Sequence, residues 1–571
     1  MNQPLRTATT IATSAMPPTG TSDYSRVTSL PKPISPRLPL KDILYRTFMP
    51  SPNAKLSRTL MVYTCLFLIC ATSVIVSTYL FWKTVSAIIG ARLRRRSERI
   101  RRVIIQNYFD SIEDGASKAK NPDERPILIG FFHPYCNAGG GGERVLWAAV
   151  DATQREHPNT ICVIYTGDID VSKDEIMQKV KQRFEIELDE NRVFIVFLLK
   201  RGLVDASRWP RFTLLGQAMG SVPLVYEAIS KLAPDIFVDT MGYAFTYPIV
   251  SMLLNIPIAA YVHYPMISTD MFGQLSLITQ LPKYIYWRVF ALMYAYAGMF
   301  ADIVMANGTW TYNHIQRVWW INKIVNLALD RSKKLDFMVL YPPCSTKALQ
   351  ELPVDKPRQP VVLSIAQFRP EKRHEVILEQ FAKYTQTAND DGSATMVLIG
   401  SVRDDRDRKH VYDLRILARE LGIIERVEFI LEATWDEIKR YLATASVGVN
   451  AMWNEHFGIG VVEYMAAGLI PVVHNSGGPK LDIVVKVDGL PTGFHFVTDK
   501  DKEEGEQMAE ALDRALSLPL EEAVAYRQRA QRAADRFSVE NFEVKWLERL
   551  RILLMLEQYR HMDRISRGFI S

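Results

Sequence analysis

The sequence predicts an α/β protein built from two Rossmann-like, doubly wound domains that face an interdomain cleft, preceded by one N-terminal transmembrane helix. Three observations lead there. Short apolar runs alternate with helical stretches twice over, once from Ile127 to Ala306 and again from Val361 to Val473, and that rhythm writes parallel sheets covered by helices. A proline-stiffened break, Tyr341-Pro342-Pro343-Cys344-Ser345, separates the two series. From Leu60 to Trp82 there is no Asp, Glu, Lys or Arg, and at about 1.5 Å per residue such a helix crosses a hydrocarbon layer of ~30 Å. A chain of 571 residues also exceeds what one core usually supports.

Residues 1–59 are expected to be a disordered lumenal tail, because prolines at 17, 18, 31, 33, 36 and 39 break any periodicity. Residues 60–82 are the expected membrane span; they begin too far from Met1 and run too long for a signal peptide. Orientation follows the flanking cations. Lys55 and Arg58 precede the span, whereas Lys83 and the run Arg92, Arg94, Arg95, Arg96, Arg99, Arg101 and Arg102 follow it, which places everything after it in the cytosol. The same run, in a basic juxtamembrane segment 83–124, accounts for the net charge of +6. It points to a membrane surface rather than nucleic acid, since no nucleic-acid motif accompanies it. Five irregularly spaced cysteines form neither a disulfide framework nor a zinc site.

Residues 125–340 are the expected first domain. Its opening strand, Ile127 to Phe132, ends at His133-Pro134-Tyr135-Cys136-Asn137-Ala138, and then Gly139, Gly140, Gly141 and Gly142 lead into a helical pattern from Glu143 to Ala152. Four glycines without a Cβ let backbone approach a substrate closely, although a flexible connector would read the same way. Further strands are expected at Ile161–Tyr165, Arg192–Phe197, Ile236–Val238, Ile258–Val262 and Ile303–Ala306. His263 follows one of them and so belongs at the cleft edge. The stretches 281–300 and 317–323 mix aromatics with cations, and read either as core helix or as interfacial segments with rings at headgroup depth.

A linker, 341–346, precedes the expected second domain, 347–535, with strands at Val361–Ala366, Thr395–Ile399, Val427–Leu431, Val447–Asn450 and Ile470–Val473. After the first comes Gln367-Phe368-Arg369-Pro370-Glu371-Lys372-Arg373-His374, a cationic turn whose Arg and Lys suit phosphate oxygens. After the fourth comes Asn454 to Gly468, with Glu455 at a strand end and Glu463 two turns into a glycine-opened helix. A long charged helix, 536–571, closes the chain and is expected to pack back on the first domain.

In this order these features resemble the retaining glycosyltransferases of the GT-B fold, over essentially Arg125 to the C-terminus. Within them, the run from Phe131 to Trp147 resembles the signature of the endoplasmic-reticulum, GDP-mannose-dependent α-1,2-mannosyltransferases, which elongate dolichyl-diphosphate-linked oligosaccharide by a fourth and fifth mannose on the cytosolic face. The resemblance implies GDP-mannose as donor, with Glu455 on the mannose and Glu463 on the ribose. Backbone N–H groups of Phe457, Gly458, Ile459 and Gly460 would meet the diphosphate, and Lys372 is the phosphate lysine. An arginine usual in the family is replaced by Gln367, leaving Arg369 to supply that charge. His263 matches the histidine at the reacting sugar, and Gly139 to Gly142 the loop closing over donor and acceptor. His263, Glu455 and Lys372 are thus the expected catalytic set.

Diphosphate is a good leaving group, so a lysine, an arginine and a helix N-terminus suffice to stabilise it, and no metal or other cofactor is expected. The resemblance further implies transfer on the front face with retention. The ER membrane and other mannosyltransferases of the pathway are candidate partners, and nucleic acid is not. Another lipid-acceptor transferase of the same fold, a sugar-nucleotide epimerase and an inactive tethered scaffold remain the alternatives.

Overall fold

The computed structural model describes residues 52–113, 125–268, 270–271, 280–320, 336–499, 501 and 504–566. Most of the tail, part of the juxtamembrane segment and positions 321–323 therefore lie outside the described residues. Two compact units divide at Leu80. The helix Pro52–Glu113 begins in the first and continues into the second, and in the first its apolar side chains from Leu60 onward are largely exposed. The helix is long and apolar enough to cross a membrane.

The second unit, from Phe81, contains both sheets. The first has seven strands in the order β3-β2-β1-β4-β5-β6-β7: β1 (Ile127–Phe132), β2 (Thr160–Thr166), β3 (Val193–Phe197), β4 (Ile236–Asp239), β5 (Ile258–Val262), β6 (Ile303–Ala306) and β7 (Asp336–Val339). The second has six, ordered β10-β9-β8-β11-β12-β13: β8 (Gln359–Ile365), β9 (Thr395–Gly400), β10 (Val427–Leu431), β11 (Ala445–Asn450), β12 (Ile470–His474) and β13 (Phe494–Phe496). Every pairing is parallel. Both halves reverse strand order once, between β1 and β4 and between β8 and β11, and ligands of such sheets bind outside the strands' carboxyl ends at that reversal.

Cores lie on both faces of each sheet. Leu128 and Phe132 of β1 belong to one buried cluster, while Ile129 and Phe131 belong to the other, and burial on both faces is why the strand reads as a continuous apolar run. The edge strands β7 and β13 were not expected from the sequence. Each is short, and His495 interrupts the apolar pattern of β13.

The arginine run divides its labour differently from its reading as a purely surface feature. Arg101 is buried against Asp235 at 2.5 Å, and Arg94 donates to the Leu254 carbonyl; Arg92, Arg95, Arg96, Arg99 and Arg102 stay exposed. Gly90, in the stretch of the helix that belongs to the second unit, lies so close to Leu253 that a Cβ would stand 1.8 Å from its carbonyl oxygen, which seats that stretch on the first half. The helix Leu281–Gly298 is half core: Phe290 and Tyr294 are buried, whereas Leu281, Ile285, Val289, Leu292 and Tyr296 are exposed. The final helix, Val539–Ser566, buries Phe542, Trp546, Leu550 and Leu553 in a core of the first sheet. Both crossings between halves are tied together, with Cys344 N–H donating to the Phe537 carbonyl at 2.9 Å.

Candidate active site

The second half's reversal point brings two loops together. After β8, Lys372 ends the turn Pro370–Lys372; after β11, the chain runs from Met452 to Gly458, where the helix Ile459–Ala466 opens. Lys372 Nζ donates to Glu455 Oε2 at 2.5 Å and lies 3.2 Å from Met452 Sδ, while Asn450 Nδ2 is 3.5 Å from the same carboxylate oxygen. Both partners of the ion pair are mostly shielded, at 22% and 13% side-chain exposure, so the attraction is little screened. Gly458 has φ of +108°, a conformation that favours glycine and turns the chain into the helix. Tyr464, one helix turn inside, accepts from the Ile365 N–H at 2.6 Å and locks that helix behind β8.

Glu463 is partly buried on the same helix, and its carbonyl accepts from Ala467 N–H at 2.9 Å. Burial raises its pKa, partly opposed by the nearby Arg144 and Arg183 of the first half. Arg369 does not join the Lys372–Glu455 pair; its guanidinium lies 3.6 Å from Glu371, and burial together with Arg403 lowers its pKa.

The first half presents a different surface at its own reversal point. His133, fully buried, has Nδ1 2.7 Å from the hydroxyl of Thr240, which follows β4. His263 Nε2 is 3.1 Å from the Thr240 carbonyl. A carbonyl only accepts, so Nε2 carries the proton. Burial and the neighbouring His133 depress the His263 pKa to about 4, leaving a neutral ring with Nδ1 as acceptor. The glycine loop is braced at its base, because Gly140 N–H donates to Glu143 Oε2 at 2.6 Å. Gly139 has φ of +80°.

These pieces meet. A Cβ on Gly142 would stand 3.5 Å from His263 Nε2, and one on Gly141 would stand 2.6 Å from Ile459 Cδ1. Two helix N-termini, one from each half, therefore close on the same crevice. Among the residues singled out from sequence, His263, Gly141, Gly142 and Ile459 form one continuous patch, and Lys372 with Glu455 another; Arg369 stands apart from the ion pair.

Other cross-cleft contacts had no sequence signal. Asp482 Oδ2 accepts from the Thr309 N–H at 2.8 Å, and its Oδ1 accepts from the Thr309 hydroxyl at 2.5 Å and from Tyr341 OH at 2.9 Å, capping a first-half helix from the second half. Asn454 Nδ2 donates to Asp270 Oδ2 at 3.0 Å, and the His456 ring lies 4.2 Å from that of Tyr264. Single polar residues in loops far apart in the chain carry no periodicity that would pair them.

Two Rossmann-like halves closing on a cationic turn and a helix-borne carboxylate define a glycosyltransferase of the GT-B class. Solved structures agree on the fold: α,α-trehalose 6-phosphate synthase from Burkholderia multivorans superposes with a TM-score of 0.54 at 16% identity, over 76% of this chain and 99% of that one. The UDP-forming enzyme from Burkholderia xenovorans gives 0.53 at 14%, over 75% and 99%. Residues 126–319 match the family described as ALG11 mannosyltransferase N-terminus, and residues 349–533 match glycosyl transferases group 1. The chain is 46% identical to the GDP-Man:Man(3)GlcNAc(2)-PP-Dol alpha-1,2-mannosyltransferase of Neurospora crassa, over 82% of this chain and 92% of that protein. Against the human protein of the same name it is 42% identical, over 76% and 88%. The chain belongs to that mannosyltransferase family.

Proposed function

We propose that the protein transfers mannose from GDP-mannose to dolichyl-diphosphate-linked Man3GlcNAc2, and then Man4GlcNAc2, forming α-1,2 linkages on the cytosolic face of the endoplasmic reticulum. The observation that carries this reading is the Lys372–Glu455 pair at the reversal point of the second sheet, in a chain of this family. Lys372 is released from Glu455 to meet the departing diphosphate, and Glu455 turns to a mannose hydroxyl. Backbone N–H groups from Phe457 to Gly460 add a helix N-terminus to the same developing charge. Glu463 accepts from the ribose hydroxyls, and Arg369 supplies charge from the periphery.

His263 acts neutral. Its free Nδ1 accepts from a hydroxyl of the reacting sugar, orienting C1 rather than protonating anything. With diphosphate as leaving group, its own oxygen takes the acceptor hydroxyl's proton and the reaction needs no metal, so transfer is expected to survive chelation by EDTA. The Gly139–Gly142 loop admits both substrates because no Cβ occupies the crevice. Exposed apolar residues of the helix Leu281–Gly298 suit contact with the bilayer that holds the acceptor's dolichol.

The test is transfer of labelled mannose by membranes carrying the protein, given the trimannosyl lipid acceptor. A folded Glu463→Ala variant is expected to lose extension by both mannoses, through weaker donor binding. An unchanged product ladder would sink the assignment of Glu463, and label on no lipid acceptor in the wild type would sink the reaction.

A further inference from the structure

We propose that His474, Ser476, Thr498 and Asp501 form a positioning hub that sets the Lys372–Glu455 geometry through the residue beside each partner. The inference rests on the donor-site reading above. Asn454 and Arg373 adjoin Glu455 and Lys372 in sequence, and both adopt left-handed backbone, with φ of +50° and +56°. A residue other than glycine holds such a conformation only when its surroundings fix it.

For each of them the fixing contact leads to one place. Asn454 N–H donates to Ser476 Oγ at 2.8 Å. Arg373 NH2 donates to Thr498 Oγ1 at 3.1 Å. Ser476 and Thr498 are joined through His474 and Asp501: His474 Nδ1 is 2.8 Å from Ser476 Oγ, and its Nε2 is 2.9 Å from Asp501 Oδ2. That carboxylate oxygen also accepts from Thr498 N–H at 2.6 Å and Thr498 Oγ1 at 2.8 Å.

The proton positions follow from the acceptors. Asp501 accepts from His474 Nε2–H, and in the neutral ring Nδ1 then accepts from the Ser476 hydroxyl, whose lone pairs face Asn454 N–H. Although burial works against it, hydrogen bonds from Thr498 and the nearby His474 keep the Asp501 carboxyl below its ordinary range. His474 is 3% exposed and Thr498 8%, so water competes little for these bonds. The loop after β12 also grips the neighbouring residue, Gly478 N–H donating to the Glu455 carbonyl at 2.7 Å. Ser-His-Asp here is no nucleophile: the hydroxyl is engaged with backbone, and it acts by holding Glu455 and Lys372 within reach of each other.

The experiment uses the full-length enzyme in detergent, with GDP affinity by calorimetry, transfer kinetics and melting temperature measured together. Ser476→Ala should lower kcat/KM and weaken GDP binding by about tenfold, the worth of one well-formed shielded hydrogen bond, with Ser476→Thr restoring both. His474→Ala combined with Ser476→Ala should lose no more than the worse single variant, because both act through the same bond to Asn454. Thr498→Val is the independent arm on Lys372, with a similar loss expected. A merely structural role predicts losses that follow melting temperature and add in the double variant, with no rescue by threonine. Wild-type kcat/KM in both Ser476→Ala and Thr498→Val overturns the hub while leaving the donor site standing. Unchanged GDP affinity in Lys372→Ala overturns the donor-site reading itself, and the hub with it.

Discussion

The two halves of this protein share one topology and dress it with different side chains. In each, the chain reverses at the centre of a parallel sheet and loops from the two central strands meet. At the second half's reversal the meeting is ionic, Lys372 against Glu455. At the first half's, two imidazoles gather around Thr240, one of them with its pKa depressed to about 4, and a single carboxylate, Glu143, stands 3.5 Å from His133 Nε2 with no lysine or arginine paired to it among the described residues. Topology therefore chooses where the site is, and a few loop residues choose what it handles. A charged leaving group calls for fixed opposite charge, whereas a neutral sugar acceptor calls for hydrogen-bond acceptors and room.

The comparison breaks first at Lys372. Replacing it with alanine removes the cation proposed to meet the diphosphate and strands a shielded Glu455 carboxylate, so we expect kcat/KM to fall about 10²- to 10³-fold, in the range for deleting a main charge-stabilising donor. Initial rates at varied GDP-mannose measure it. A smaller loss than that of His263→Ala would invert the assignment of the two halves.

Acid sharpens the difference next. His263 and His456 are both held near pKa 4, chiefly by burial, against 6.5 when unfolded. Between those values the unfolded chain binds more protons than the folded one, so stability should fall as pH drops from about 6.5 towards 4 and be insensitive to these residues above that window. Thermal melts across the range should show it, and His456→Gln should flatten the slope. A turnover profile with an inflection near 6.5 that disappears in His263→Asn would show that His263 titrates normally and is not the neutral acceptor described.

What could be read from the sequence follows from the same physics. Eleven strands announced themselves because a strand buried on both faces must be apolar throughout, as Ile258 to Val262 is. The placement of Lys372, Glu455 and His263 beyond strand carboxyl ends was legible because each lies in the loop that follows such a strand. The edge strands Asp336–Val339 and Phe494–Phe496 were not, since a short edge needs neither length nor strict alternation. Asp482 on Thr309, Asn454 on Asp270 and the cluster around His474 are meetings of loops distant in sequence. Nothing in the local pattern of either partner records the other. The direction of Arg369 was illegible for a related reason, because a charge near a strand end gives no heading for its side chain, and here the guanidinium turns to Glu371.

The smallest expected effect tests where the halves touch. Gly141 begins one helix and Ile459 the other, and a Cβ on Gly141 would meet Ile459 Cδ1 at 2.6 Å. That atom is the end of a flexible side chain, so Gly141→Ala should be accommodated by a rotamer change costing about 1 kcal/mol, slowing transfer severalfold with little change in melting temperature. Ile459→Val removes the offending methyl. If the crevice is closed by this contact, the double variant should recover most of the lost rate, whereas Ile459→Val alone should be nearly silent. Gly139→Ala offers the contrast, for its strain lies in a left-handed backbone of φ +80°, and no change at Ile459 should relieve it. Equal rescue of both glycine variants would mean that the loop is sensitive to rigidity alone, and that the two helix N-termini do not meet at this point during turnover.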